Sequence, residues 1–174
     1  NLFFEVGGVH DDGYHDVASA YQAVSLYEDV WASPSDEFTV SISGTVDVTG
    51  VPADDRNLAV RAARLVAQRI GHSGGVHLDI VKHVPFAGGI RRSAALVACD
   101  ALWGAELGPA ELHKLAARLG ADVPFALMGG TAVGTGRGDA GTRAWRPAEV
   151  AQHPHRNQIG RADGVDGGGE RGGD

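Results

Sequence analysis

The stretch from residue 76 to residue 104 constrains the fold most, because strand, turn and helix signals follow one another there without a break. Its first segment, VHLDIVK, alternates apolar and polar residues, as a half-buried strand does. Gly88 and Gly89 then predict a tight turn, and the residues from about 93 to 103 predict a helix that stops at Gly104. Backbone amides at a helix N-terminus attract anions, so the stretch is a nucleotide-binding loop, a damaged one or only a tight turn.

Two further helices and several strands surround this stretch. Residues 54–70 predict an amphipathic helix with Asp54 and Asp55 as its cap and dipole partners. Another helix is predicted over 109–120, because proline suits a first turn and glycine commonly follows a last one. Strands before helices, at hairpin-like spacing, indicate an α+β fold rather than a repeated βαβ barrel. The remaining strands are predicted at 1–6, 19–32, 37–43 and 129–136.

Charge and composition exclude several classes of function. The 174 residues carry a formal net charge of -7, which argues against a nucleic-acid or membrane-surface binder. Cys99 is the only cysteine, and the apolar run around it predicts a buried structural thiol. His72, His77 and His83 stand at no metal-ligand spacing, so no metal site is predicted. There is neither a signal peptide nor an apolar run of the ~20 residues that span a membrane, so we expect a cytoplasmic protein.

The chain from residue 140 to residue 174 differs in composition from the part before it. It holds few large apolar side chains and ends in the glycine-rich run DGVDGGGERGGD. Such a segment buries too little apolar surface to offset the entropy lost on ordering. We therefore expect one folded domain over 1–139 and a disordered tail over 140–174.

Four segments in a fixed order together resemble one enzyme family. They are DGYHDVASAYQAVSLYEDV at 12–30, DDRNLAVRAARLV at 54–66, VPFAGG at 84–89 and LGADVPFALMGGTAVGTGRGD at 119–139. With them, residues 1–139 resemble the 4-diphosphocytidyl-2-C-methyl-D-erythritol kinases of the GHMP kinase superfamily. The resemblance implies a GHMP kinase N-terminal domain, of the ribosomal protein S5 domain 2-like type, with an antiparallel-rich sheet and helices on one face.

The same resemblance implies a reaction and its ligands. ATP and Mg2+ would be the cofactors, and the 2-hydroxyl of 4-diphosphocytidyl-2-C-methyl-D-erythritol would be phosphorylated in the non-mevalonate route to isoprenoid precursors. The substrate partner is thus a small molecule. Phosphoryl transfer asks the protein mainly for positioning and charge stabilisation.

Site residues follow from the matched motifs. Asp122 matches the catalytic aspartate, which would orient the substrate hydroxyl or accept its proton. Tyr14 and His15 match residues that hold the cytidine, and Asn1 matches an active-site asparagine. The resemblance assigns ATP binding to Pro85, Phe86, Ala87, Gly88, Gly89 and Ser93.

Two of these assignments have a purely structural alternative when the residues are taken alone. Asp122 would equally suit the cap of a short helix over 123–127. Tyr14 would equally pack beside a hairpin turn at Asp12 and Gly13.

The glycine loop departs from the family pattern. The family reads PxAGGMAGGSADAAAxLVA where this chain reads PFAGGIRRSAALVA, which is shorter and lacks the second glycine pair. Arg91 and Arg92 keep positive charge there, and guanidinium groups bind phosphate. The alternative function is therefore a non-catalytic, truncated or frameshifted remnant of the kinase. RNA binding by an S5-like fold is disfavoured by the acidic charge.

Overall fold

The structure is a computed structural model that describes residues 2–9, 15–84, 90–137 and 144–147. The fold is α+β, as the sequence predicts. In chain order the described elements are β1 (Phe3–Val9), β2 (His15–Gln22), β3 (Asp29–Ser35), β4 (Phe38–Gly44), α1 (Leu58–Ile70), β5 (Gly75–Lys82), α2 (Ile90–Leu102), α3 (Gly108–Leu119), α4 (Val123–Met128), β6 (Thr131–Arg137) and β7 (Ala144–Pro147). Among the described residues, no helix is both long and apolar enough to cross a membrane.

The described strands form two sheets, one in the order β1-β2-β6-β7 and one in the order β3-β5-β4. Every neighbouring pair is antiparallel except β4 and β5, which are parallel. A parallel pair needs a long crossover connection, and α1 provides it here. The antiparallel-rich sheet expected from the sequence is thus confirmed.

The helices pack on one face of the three-stranded sheet. Along β5, Val76, Leu78 and Ile80 are buried, whereas His77 and Asp79 alternate with them on the other face. The helices complete this core with Ala59, Val60, Ala62, Ala63, Val66, Ala95, Leu96, Cys99, Leu115, Ala116 and Val123. The shared core fixes the starts of α2 and α4 relative to each other, and those two helix starts carry the candidate site.

Helix α1 begins later than the sequence pattern predicts. Its N-cap is Asn57, whose side chain accepts a backbone hydrogen bond from the first turn at 2.9 Å. The expectation that Asp54 and Asp55 cap the helix is therefore wrong. Asp54 instead accepts a hydrogen bond from the Arg56 backbone N–H at 2.9 Å, and Asp55 pairs with Arg64 at 2.6 Å. Asp54 is thus bound within the turn before the helix and Asp55 by an arginine of α1, while the buried Asn57 caps the helix.

The single strand predicted over 19–32 is two strands. β2 ends at Gln22 and β3 begins at Asp29, and the two strands belong to different sheets. The connection between them contains Glu28, which is buried and forms an ion pair with Lys82 at the end of β5. Glu28 and Lys82 directly continue the Asp29–Val81 pair of the β3–β5 ladder, so the chain has already changed sheets when it reaches Glu28.

Strand β7 lies inside the segment for which the composition predicts disorder. Its residues pair antiparallel with β6, with Trp145 opposite Gly134. Backbone pairing with an existing sheet edge orders this short segment without a large apolar contribution of its own. The rest of 140–174 lies outside the described residues, so the domain boundary stays a prediction.

Candidate active site

Asp122 lies at the corner between α3 and α4. Helix α3 ends at Leu119, and Asp122 occupies the N-cap position of α4. Its side chain is exposed and makes no capping hydrogen bond to the helix. Instead, the Tyr21 hydroxyl donates to Asp122 Oδ1 at 3.1 Å. The carboxylate is thus presented at the surface and oriented by a tyrosine, and the capping alternative lacks its hydrogen bond.

Tyr21 is a candidate site residue that the sequence analysis missed. It lies on β2, half-buried, and its ring centroid is 5.1 Å from that of Phe125, with the planes tilted by 46°. Phe125 is buried in α4, one turn beyond Asp122. The ring contact and the hydroxyl hydrogen bond therefore attach β2 to the start of α4 at two points. The sequence feature that could have pointed to Tyr21 is its place in the segment 12–30, which also contains the predicted cytidine-binding residues.

Arg92 brings the start of α2 to the same corner. Its Nη1 donates a hydrogen bond to the Leu119 carbonyl at the end of α3. A Cβ at Gly120 would stand 2.6 Å from Arg92 Nη1, so only glycine lets the guanidinium approach this closely. Burial lowers the pKa of Arg92, and so do the charges of Arg61 and Arg91. The carboxylate of Asp122 acts on that pKa in the opposite direction.

Arg91 and Ser93 flank Arg92 and are both buried. Arg91 is 8% exposed, and among the described residues its Nε and Nη1 atoms have no hydrogen-bond partner, nor does the Nε of Arg92. Ser93 lies in the first turns of α2, at 5% exposure. Buried guanidinium donors without an acceptor suit an oxyanion, because Arg hydrogen bonds to phosphate and carboxylate are among the strongest in proteins.

The structure describes only some of the predicted site residues. Asp122 stands directly before α4 and Ser93 lies in α2, and Arg92, next to Ser93, donates a hydrogen bond to Leu119, three residues before Asp122. His15 begins β2, where its Cα is paired with that of Val9. The remaining predicted residues lie outside the described part of the chain: Asn1, Tyr14, Pro85, Phe86, Ala87, Gly88 and Gly89. Within the described part, no group of three or more His, Cys, Asp or Glu side chains could hold a metal ion.

Cys99 lies in the core of α2, away from solvent. It is fully buried, and burial raises the pKa of its thiol to about 12. A thiol with so high a pKa carries almost no thiolate at neutral pH, so it is not a nucleophile. The structural role predicted for Cys99 is confirmed.

Comparison with known proteins gives the family. Residues 57–130 match the family model described as the GHMP kinases N terminal domain. The chain is 61% identical over 145 residues to the 4-diphosphocytidyl-2-C-methyl-D-erythritol kinase of Leifsonia xyli, a match that covers 80% of this chain and 47% of the relative. The enzyme of the same name from Clavibacter michiganensis is 56% identical over 144 residues, with 80% and 46% covered. The chain spans about half the length of these curated relatives.

Solved structures agree with that result. A 4-(cytidine 5'-diphospho)-2C-methyl-D-erythritol kinase matches with a TM-score of 0.62 and 32% identity, covering 85% of this chain and 52% of that one. A mevalonate kinase matches with a TM-score of 0.52 at 10% identity, over 78% of this chain and 49% of its own, which is a likeness in fold alone.

The fold and the match over 57–130 together define a GHMP kinase N-terminal domain. Within that class, the chain resembles the N-terminal part of the 4-diphosphocytidyl-2-C-methyl-D-erythritol kinases.

Proposed function

We propose that this chain is an ATP-dependent kinase, which phosphorylates the 2-hydroxyl of 4-diphosphocytidyl-2-C-methyl-D-erythritol in the cytoplasm. The names of its 61% and 56% identical relatives support the choice of substrate. The observation that carries the proposal is the position of Asp122, whose exposed carboxylate is oriented by Tyr21 where α3 meets α4. The motif that contains Asp122 is one of the four that resemble this kinase family.

The proposed mechanism assigns a separate task to each residue. Asp122 orients the substrate hydroxyl and accepts its proton as the oxygen attacks phosphorus. Tyr21 holds Asp122 Oδ1, so the carboxylate keeps one orientation relative to β2. Tyr21 is therefore a positioning residue, because it acts through Asp122 rather than on the substrate.

The described residues also fit the two cofactors. The guanidinium donors of Arg91 and Arg92 that no described residue accepts from suit the phosphate oxygens of ATP. Mg2+ in kinases is usually held by one or two carboxylates together with substrate phosphates, and Asp122 offers an exposed carboxylate whose charge acts on Arg92. When bound, ATP supplies the phosphoryl group and Mg2+ neutralises charge on its oxygens.

Steady-state kinetics with matched variants test the proposal. Asp122→Asn removes the proton acceptor at nearly constant shape, whereas Asp36→Asn changes an exposed aspartate in the turn between β3 and β4. With Mg-ATP and the methylerythritol substrate, we expect Asp122→Asn to lower kcat by about 100-fold or more, as loss of a general base does. Asp36→Asn should keep the wild-type rate.

Two results would contradict the proposal. Equal kcat values for Asp122→Asn and the wild type would remove Asp122 from the mechanism. A folded wild-type chain that neither turns over nor gains thermal stability with Mg-ATP would instead support the non-catalytic remnant.

A further inference from the structure

Four of the described strands lie at the edge of a sheet, and β4 is the one among them whose edge has no protection. An edge strand presents unpaired backbone N–H and C=O groups, which proteins usually shield with a charge, a proline or a bulge. β3 carries Pro34, and β7 carries Arg146 and Pro147. The register of β1 shifts between Val6 and Val9, as it does at a bulge. β4 has the sequence FTVSISG, with no charge and no proline, and its register with β5 is continuous.

The outer edge of β4 is accessible in the part of the chain that the structure describes. Its inner edge pairs with β5 along the whole strand, and no described backbone group bonds to the outer edge. The chain that follows the strand does not cover this edge, because an open groove separates residues 38–40 from the turn at 53–56. An accessible edge of this kind can accept one further strand through main-chain hydrogen bonds.

The sequence of β4 is complementary to itself in one antiparallel register, which is centred on Ser41. In that register Thr39 lies opposite Ser43 of a second copy, because the two positions are equally far from the centre. Val40 lies opposite Ile42 for the same reason. Residues that lie directly opposite each other point to the same face of the sheet. The hydroxyl side chains of both copies therefore meet on the exposed face, and the aliphatic ones meet on the face that carries the helices.

We propose that β4 pairs antiparallel with β4 of a second copy of this chain, which joins two three-stranded sheets into one. Both copies use the same edge, so the contact is two-fold symmetric and closes at two chains. The far edge on each side is β3, where Pro34 lacks the N–H that further pairing would need. One strand pair is a small interface, so the dimer should be weak and depend on concentration. The proposal does not rest on kinase activity, since β4 holds none of the candidate site residues.

Sedimentation velocity of the 174-residue chain tests whether the dimer forms. Chain concentrations from about 1 µM to about 1 mM cover the range in which weak dimers dissociate. We expect the weight-average mass to rise with concentration from the 18.0 kDa of one chain toward twice that value. A mass that stays at one chain over the whole range would overturn the proposal, and so would growth well beyond two chains.

Two matched double variants test the register. Thr39→Lys/Ser43→Lys places like charges opposite each other in the dimer, whereas Thr39→Lys/Ser43→Glu places opposite charges there. Both variants lose the same hydrogen bond between Thr39 and His77, so a single chain is affected alike. At low ionic strength, the dissociation constant of the first should exceed that of the second by at least about tenfold, because two cross-strand pairs change from attractive to repulsive. Equal dissociation constants would overturn the proposal.

Single lysine variants replace the double ones if either of those does not fold. Ser43→Lys adds a charge to the exposed face of β4, and Ser33→Lys adds the same charge to the exposed face of β3. Ser43→Lys should weaken the dimer, since an edge lysine opposes strand pairing, whereas Ser33→Lys should leave it unchanged. An equal effect of the two variants would overturn the proposal.

Amide hydrogen exchange, followed by NMR in dilute and concentrated samples, locates the contact on the chain. The β4 amides that point away from β5 should exchange more slowly in the concentrated sample, because pairing protects them. Exchange at the β3 edge should be the same in both samples. A dimer that forms without added protection in β4 would use another surface and would overturn the proposal.

Discussion

The buried ion pair between Lys82 and Glu28 joins the end of β5 to the start of β3. Replacing one partner tests how much this pair contributes to the free energy of unfolding. Lys82 ends β5 and Glu28 immediately precedes β3, and their side chains are 0% and 1% exposed. Lys82→Met removes one charge and leaves the other buried without a partner. Breaking such a pair costs about 3–5 kcal/mol, which is a large part of the ~5–15 kcal/mol that stabilises a typical domain.

The assay is chemical unfolding followed by far-ultraviolet circular dichroism. We expect Lys82→Met to lower the free energy of unfolding by about 3–5 kcal/mol, and the double variant Glu28→Leu/Lys82→Met to recover most of that loss, because no unpaired charge remains. Lys114→Met is the matched control, since Lys114 is 73% exposed and pairs with Glu111 at the surface; it should leave the unfolding midpoint unchanged. A midpoint for Lys82→Met equal to that of Lys114→Met would refute the reasoning.

Three further predictions concern single side chains. Tyr21→Phe keeps the ring contact with Phe125 and removes the hydrogen bond to Asp122. We expect kcat to fall about tenfold, with KM and the melting temperature nearly unchanged. A fall in kcat that comes with a clear fall in melting temperature would contradict a positioning role. Asn57→Ala removes the N-cap of α1 and should cost about 1–2 kcal/mol in chemical unfolding, whereas a neutral result would mean that the cap contributes nothing. Cys99, with a thiol pKa raised to about 12, should resist thiol reagents from pH 7 to pH 9 until denaturant is added; rapid labelling of the folded chain would contradict its burial.

Local chemistry explains which elements could be predicted from the sequence. Gly71 ends α1 in the left-handed conformation, with φ 68°, as a glycine after an amphipathic run commonly does. Pro109 and Gly120 likewise predicted the two ends of α3, and the alternation of apolar and polar residues in VHLDIVK predicted β5. By contrast, α1 is capped by Asn57 and not by Asp54 or Asp55. The cap position is buried, which favours a neutral amide over a carboxylate, and no local sequence pattern reveals that burial.

The candidate site, too, could be predicted from the sequence only in part. Asp122 was predicted from the motif around it, and its role stays a prediction, whereas Tyr21 was missed because its partner lies 101 residues away in the chain. The contact between Arg92 and Leu119 spans 27 residues and depends on how α2 packs beside α3. Such pairings are properties of the tertiary fold, so spacing in the sequence cannot reveal them. The predicted ATP-binding and cytidine-binding residues outside the described ranges stay predictions.

Phosphorus NMR of the reaction mixture tests the central claim most directly. The 174-residue chain is incubated with Mg-ATP and 4-diphosphocytidyl-2-C-methyl-D-erythritol, and the spectrum is followed for a new phosphomonoester resonance. Because the account assigns phosphoryl transfer to the substrate hydroxyl, it predicts that this resonance grows as ADP forms, and that it is absent with Asp122→Asn. ADP formation without a phosphomonoester, or a resonance that grows equally with Asp122→Asn, would contradict it.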